Sequence, residues 1–169
     1  MSKVWSEGEA VEKVAVALIP KYHSELADAR LMYVFVSEAS TDKNGRPIPG
    51  KSRRISGFLE WALDCDFVIE IAADVWKTLD ADQRTALVDH YLERCTGEED
   101  EETGEMTWKL REPDIAEFQK ILERHGAWHD QLTGFVSVAQ KIDISFLSTD
   151  SLQEADQETN GSSDLLQSS

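Results

Sequence analysis

Asp89-His90-Tyr91-Leu92-Glu93-Arg94 closes a stretch, about 80–95, in which Ala81, Arg84, Leu87 or Val88, Tyr91 and Leu92 recur at three-to-four spacing. That period predicts a helix, capped by Thr78 or Asp80 and stopped by Gly97. His90 and Arg94 are four apart and share a face of it. On such a helix, His-Glu-x-x-His would offer two imidazoles one turn apart to a metal ion, with a glutamate beside the first as base. Here Tyr91 stands at the base position and Arg94 at the second imidazole, so His90 is left alone. It reads as a structural histidine, hydrogen-bonded in or near the core.

Working outward, Glu98-Glu99-Asp100-Glu101-Glu102-Thr103-Gly104-Glu105 has six acids in eight residues, which predicts a solvated loop. Met106–Leu110 reads as a brief strand. Pro113 suits the first turn of a helix with Ile115, Phe118, Ile121 and Leu122 as its apolar stripe, closed by Gly126. A further helix is expected over about 132–144, with Phe135, Val138, Ala139 and Ile142 inward. Toward the N-terminus, Leu31-Met32-Tyr33-Val34-Phe35-Val36 and Phe67-Val68-Ile69-Glu70-Ile71 read as buried strands. A weaker strand is expected over 51–56, and Asn44-Gly45 as a hairpin turn within 42–49. Ser6 and Glu9 form a capping-box pattern ahead of Val11, Val14, Ala15, Leu18 and Ile19. Pro20 either ends or bends that helix. Trp61, Trp76 and Trp128 have apolar neighbours and read as core.

A chain of 169 residues with 41% hydrophobic residues can bury a sizeable core, and one domain is expected, over 1–147. Residues 148–169 hold five acids, no base and no aromatic residue, which predicts disorder. They read as a plain tail or as a flexible acidic arm; the sequence does not choose. No run approaches the roughly 18 apolar residues of a membrane span, and no signal segment opens the chain. Cys65 and Cys95 suggest reduced thiols of a cytoplasmic protein.

Charge is the unusual quantity. The formal net is −16, with residues 1–88 contributing −3 and residues 89–169 contributing −13. Such a field repels nucleic acid and anionic membrane and steers basic partners inward; plain solubility is the simpler explanation. Lys43, Arg46, Lys51, Arg53 and Arg54 form a local basic cluster without an aromatic platform for nucleic acid. They either meet a partner's acids or balance the protein's own field. Gly45, Gly50 and Gly57 make no phosphate-binding fingerprint, and no nucleophile triad stands out.

Over most of residues 10–128 the chain resembles the phage metallopeptidases. The resemblance is carried by Tyr22-His23, Tyr33-Val34-Phe35, Phe67-Val68-Ile69-Glu70-Ile71, Trp76, Leu79 and Gln83-Arg84. It continues through Leu87-Val88-Asp89-His90, Asp114-Ile115-Ala116-Glu117-Phe118 and Arg124-His125-Gly126-Ala127-Trp128. It implies an α+β, zincin-like domain with a small sheet packed against helices. It also implies that the first metal ligand falls on His90, the catalytic glutamate on Tyr91, the second ligand on Arg94 and the third on Pro113. Zinc wants three protein ligands and an open position, an arginine stays cationic, and a tyrosine of pKa about 10 is a poor base without the metal. Neither metal nor cofactor is expected, nor an enzyme. His23, His125 and His129 make no convincing alternative spacing, and Arg94 is expected to pair with an acid such as Glu117.

A degenerate shell with a negative field suggests an inhibitor that imitates DNA, which carries a charge roughly every 1.7 Å of axis. The imitating residues would be Glu98, Glu99, Asp100, Glu101, Glu102 and Glu105, then Glu112, Glu117 and Glu123, then Asp150, Glu154, Asp156 and Glu158; Asp114 reads rather as a helix cap. The partner would be a DNA-binding enzyme of the host. Gyrase or another topoisomerase is favoured for its broad basic surface; a restriction enzyme or CRISPR effector is a further candidate. A two-fold dimer would imitate a long duplex more easily. The alternatives are a non-enzymatic module that grips a host protein through the degenerate cleft, and a surviving metal-dependent peptidase.

Overall fold

Phe67–Ala72 (β6) runs through the middle of a four-stranded sheet, parallel to Leu31–Val36 (β2) and antiparallel to Gly50–Arg54 (β5). Trp5–Glu7 (β1) pairs antiparallel with β2 and completes the order β1-β2-β6-β5. The computed structural model describes residues 2–116, 119–128 and 130–142. It divides into two compact units, Met1–Pro113 and Asp114–Ser169.

In the first unit, alternation along β6 sets the layers. Phe67, Ile69 and Ile71 are fully buried in one cluster with Val11, Ala15 and Leu18 of Glu9–Tyr22 (α1) and with Val88, Tyr91 and Leu92 of Ala81–Glu93 (α4). Each buried Val, Leu, Ile or Phe side chain among them stabilises the fold by about 1.5–3 kcal/mol. Glu70 belongs to the opposite face, where its carboxylate accepts from Trp5 Nε1 at 2.8 Å. The small sheet packed against helices is therefore present, and the architecture is mixed α+β.

The capping box read at Ser6 does not form. Ser6 lies in β1, and Gly8 precedes the helix instead; its amide donates to the Tyr33 carbonyl at 3.0 Å. A Cβ on Gly8 would stand 2.8 Å from the Tyr33 carbonyl carbon, so this close approach needs glycine. α1 passes through Pro20 and ends two residues later.

Ser40–Thr41 (β3) and Pro47–Ile48 (β4) form the expected hairpin, with Gly45 at φ 77° and the Asp42 carboxylate accepting the Asn44 and Arg46 amides at 2.8 and 2.9 Å. Phe58–Leu63 (α2) is a short helix that leaves Trp61 79% exposed, so this tryptophan is not core: six residues offer too little surface to bury it. In Ala73–Thr78 (α3), Trp76 is core as expected, with its edge toward Phe35 and the Arg84 guanidinium 5.1 Å from its ring centroid.

α4 starts with a complete capping box between Asp80 and Gln83, which selects Asp80 over Thr78. It ends at Glu93 and not at Gly97. Cys95–Glu99 (β7) pairs instead with Met106–Leu110 (β8), so Glu98 and Glu99 are strand residues and only 100–105 turn. The Trp108 ring lies across Gly97, where a Cβ would be 2.4 Å from it. That glycine serves close packing, not helix termination.

The second unit contains Gln119–His125 (α5), closed by Gly126 at φ 65°, and Asp130–Lys141 (α6). Pro113 does not open a helix; it lies in irregular backbone with residues 111–116, because its neighbours make no helical hydrogen bonds. Phe135, Val138, Ala139 and Ile142 are exposed rather than inward, as is Trp128. The two short helices described here give too little facing surface to cover a whole apolar stripe. Glu117, Phe118, His129 and the tail 148–169 with Asp150, Glu154, Asp156 and Glu158 lie outside the described residues. Among the described residues no helix is long and apolar enough to cross a membrane.

Candidate functional site

α4 carries the site, and a buried histidine holds α4. That histidine is His23, 0% exposed at the end of α1, with Nε2 2.6 Å from Asp89 Oδ1 and Nδ1 3.5 Å from Glu93 Oε2. An ionised carboxylate only accepts, so Nε2–H donates to Asp89 in a short, charge-assisted bond. The structural role read for His90 therefore belongs to His23; His90 itself is exposed. The available signal was Asp89 and Glu93, four apart on one helical face. From the other side, Arg111 pairs with the Glu93 carboxylate and donates from Nε to the Glu93 carbonyl at 2.7 Å.

So held, α4 presents His90, Tyr91 and Arg94 toward β5. Tyr91 is buried, and its ring abuts Gly50, where a Cβ would lie 2.8 Å from Tyr91 Cε2. Burial pushes the phenol pKa up, against a backbone hydrogen bond from Gly50. His90 meets the Tyr91 ring edge-on, centroids 4.9 Å apart. Ser52 Oγ donates to the Tyr91 carbonyl at 2.7 Å and ties the strand to the helix. Beneath them, burial pushes the Cys95 thiol up to about 12; it and Cys65 are buried free thiols.

Between β5 and α4 opens a cleft of about 330 Å³. Ile48, Gly50, Lys51, Ser52 and Arg53 line one side; His90, Tyr91 and Arg94 line the other. The register makes β5 an edge. Ala72 N bonds Pro49 O and Ile55 N bonds Asp66 O, so the main chain of Lys51 and Arg53 faces β6 while the Ser52 amide and carbonyl face away from it. Arg94 Nη2 lies 3.4 Å from both carboxylate oxygens of Glu112, an acidic partner of the kind expected; Glu117 lies outside the described residues.

The donors here do not fit a zinc ion. His90 is an exposed imidazole, Tyr91 a packed phenol whose burial favours the neutral form, Arg94 a cation, and Pro113 has no side-chain donor. Among the described residues no group of three or more His, Cys, Asp or Glu is placed to hold a metal. The frame is nonetheless that of a known family: the profile described as "putative phage metallopeptidase" matches residues 3–139. The chain belongs to this family. It is a degenerate member, in which the ligand positions carry other chemistry. No curated protein and no solved structure matches it.

Of the acids read as a DNA-like array, Glu98, Glu99, Asp100, Glu101, Glu102, Glu105, Glu112 and Glu123 are among the described residues. Glu99, Glu101, Glu102 and Glu105 are exposed on the β7–β8 hairpin. Glu98 pairs with Lys109 at 2.6 Å. Amide hydrogen bonds from Thr103 and Glu102 lower the Asp100 pKa and fold the turn. Glu112 lies on Arg94, and Glu123 belongs to α5 in the other unit.

Proposed function

We propose that this member of the phage metallopeptidase family is a binding protein that grips an extended segment of a host protein in the β5–α4 cleft without hydrolysing it. The observation that carries this reading is the pair Tyr91 and Arg94, standing where a peptidase needs its base and second ligand, on a helix still clamped by His23 and beside a strand edge still open at Ser52. An open edge gives main-chain hydrogen bonds to an extended chain, which is what a binding module keeps after losing catalysis. In this reading the domain is zincin-like by descent and acts in the cytoplasm of the host cell.

The test is capture of a host protein by the tagged chain. His90→Trp, an exposed lining residue enlarged to fill the cleft, is expected to abolish capture. The four-fold variant Glu99→Gln/Glu101→Gln/Glu102→Gln/Glu105→Gln is expected to leave it intact. Zinc-dependent peptide turnover would overturn the non-enzymatic part.

A second reading is favoured by the four exposed hairpin acids and by the −13 net charge of residues 89–169: imitation of DNA toward a host DNA-handling enzyme such as gyrase. It requires capture that falls with salt, is competed by duplex DNA, and is lost in the hairpin variant.

A further inference from the structure

Asn44 sits at the tip of the β3–β4 hairpin with its carboxamide unrestrained. Gly45 N donates to the Asp42 carbonyl at 3.1 Å, and Asp42 N donates to the Arg46 carbonyl at 2.8 Å. Lys43 and Asn44 are thus the central residues of a turn, and Gly45 follows at φ 77°. Residues 43–47 are all exposed. The Asn44 main chain donates to Asp42 Oδ1 at 2.8 Å, whereas among the described residues its side chain has no hydrogen-bond partner. A Cβ on Gly45 would meet nothing within 4 Å. The Gly45 nitrogen is therefore flanked by open space, and glycine adds no side chain of its own. β3 and β4 have two residues each and pair with each other. A two-stranded hairpin by itself is marginally stable, and such segments open locally at little free-energy cost.

We propose that Asn44 is a self-modification site: on hairpin opening the Gly45 main-chain nitrogen attacks the Asn44 side-chain carbonyl, and the isoaspartate that follows frees Ile48 in the wall of the cleft. Opening releases the Gly45 N–H from Asp42. A bond forms between Gly45 N and Asn44 Cγ, and the bond from Cγ to Nδ2 breaks. The proton of the Gly45 amide leaves with that nitrogen as ammonia. Water, the sole co-reactant, then opens the cyclic imide. Cleavage between Gly45 N and Cγ gives aspartate on an unchanged main chain. Cleavage between Gly45 N and the Asn44 main-chain carbonyl carbon gives isoaspartate, whose main chain runs through Cβ and Cγ and is longer by one carbon. That carbon falls inside the loop that Asp42 and Arg46 close, so the pairs Thr41↔Pro47 and Ser40↔Ile48 lose their register. Ile48 lines the β5–α4 cleft, so chemistry at the tip reaches the cleft wall, whatever the cleft binds.

The full chain, held at neutral pH in buffer and in parallel in urea and sampled over days, decides it. Digestion after glutamate puts Asn44 and the second asparagine, Asn160, which also precedes a glycine, in separate peptides for mass spectrometry. Isoaspartyl methyltransferase labels the isoaspartate. Asn44 in the folded chain is expected to react at no less than about one-tenth of its rate in urea. A slower rate, or none, would overturn the proposal, since the closed turn would then protect it. Asn44→Gln is expected to abolish labelling of its peptide, and labelling that persists would also overturn it. Amide exchange at Ile48 is expected to be at least about ten-fold faster in the isoaspartate fraction than in the fresh chain. Asn44→Asp, which has the charge without the extra carbon, is expected to leave that exchange unchanged. Unchanged exchange in the isoaspartate fraction, or equal acceleration in Asn44→Asp, would overturn the route to the cleft.

Discussion

The β5–α4 cleft and the β7–β8 hairpin are close in sequence and opposite in character. The cleft sets His90, Tyr91 and Arg94 of a helix fixed by a buried His–carboxylate pair beside a strand tied to it by Ser52. The hairpin concentrates acids, but Asp100 shapes its own turn and Glu98 answers Lys109. Net charge is a property of the whole surface. Where a ligand is held depends on which charges the fold encloses and leaves poorly paired. By that measure the cleft is the enclosed region and the hairpin tip the solvated one.

The largest effect is expected where both regions share support. Phe67 is fully buried in β6 and meets the Trp108 ring of β8 edge-on at 5.8 Å. Phe67→Ala should cost about 3–5 kcal/mol in urea unfolding. A loss confined to the hairpin, with α4 still cooperative, would show the two regions to be independent. Next, His23→Ala should cost about 2–3 kcal/mol and speed amide exchange in α4 more than in β8. The reverse order would remove the clamp from the account.

Acid sensitivity separates buried from exposed acids. Burial disfavours the Asp66 carboxylate, but hydrogen bonds from the Arg30 side chain and main chain outweigh it, and its pKa is lowered. A depressed folded pKa stabilises above the unfolded value of about 4 and loses that contribution as pH falls through the folded value. Denaturant midpoints should therefore hold above pH ~4 and fall below it. Asp66→Asn should blunt the fall, and Asp100→Asn on the exposed turn should leave most of it. The smallest effect is expected at the tip, where the four-fold Glu→Gln variant should shift stability by no more than about 0.5 kcal/mol per residue.

Much of the fold was legible because its elements are long or strongly patterned. β2 and β6 are β-branched and aromatic runs, Asn44-Gly45 is a turn with its own chemistry, and α4 has helical spacing and a capping box. The misses have physical reasons. β1 is three residues, and its Ser6 mimics a helix cap until the Gly8–Tyr33 contact is known. Gly97 looks like a helix stop because sequence does not show the Trp108 ring laid over it. Trp61 looks like core because its neighbours are apolar, yet it lies at the surface with the Phe58 ring, centroids 5.8 Å apart. At the site, the substitutions Tyr91 and Arg94 could be read directly. His23 could not, because its partner is 66 residues away, and neither could Glu112, which only folding sets against Arg94.

A photo-reactive residue placed at position 53, at position 102, or at neither, in host cells producing the chain, tests the central claim most directly. Covalent adducts with one host protein from position 53, persisting when duplex DNA is added to the lysate before irradiation, are the predicted result. Adducts from position 102 alone, erased by that DNA, would contradict it.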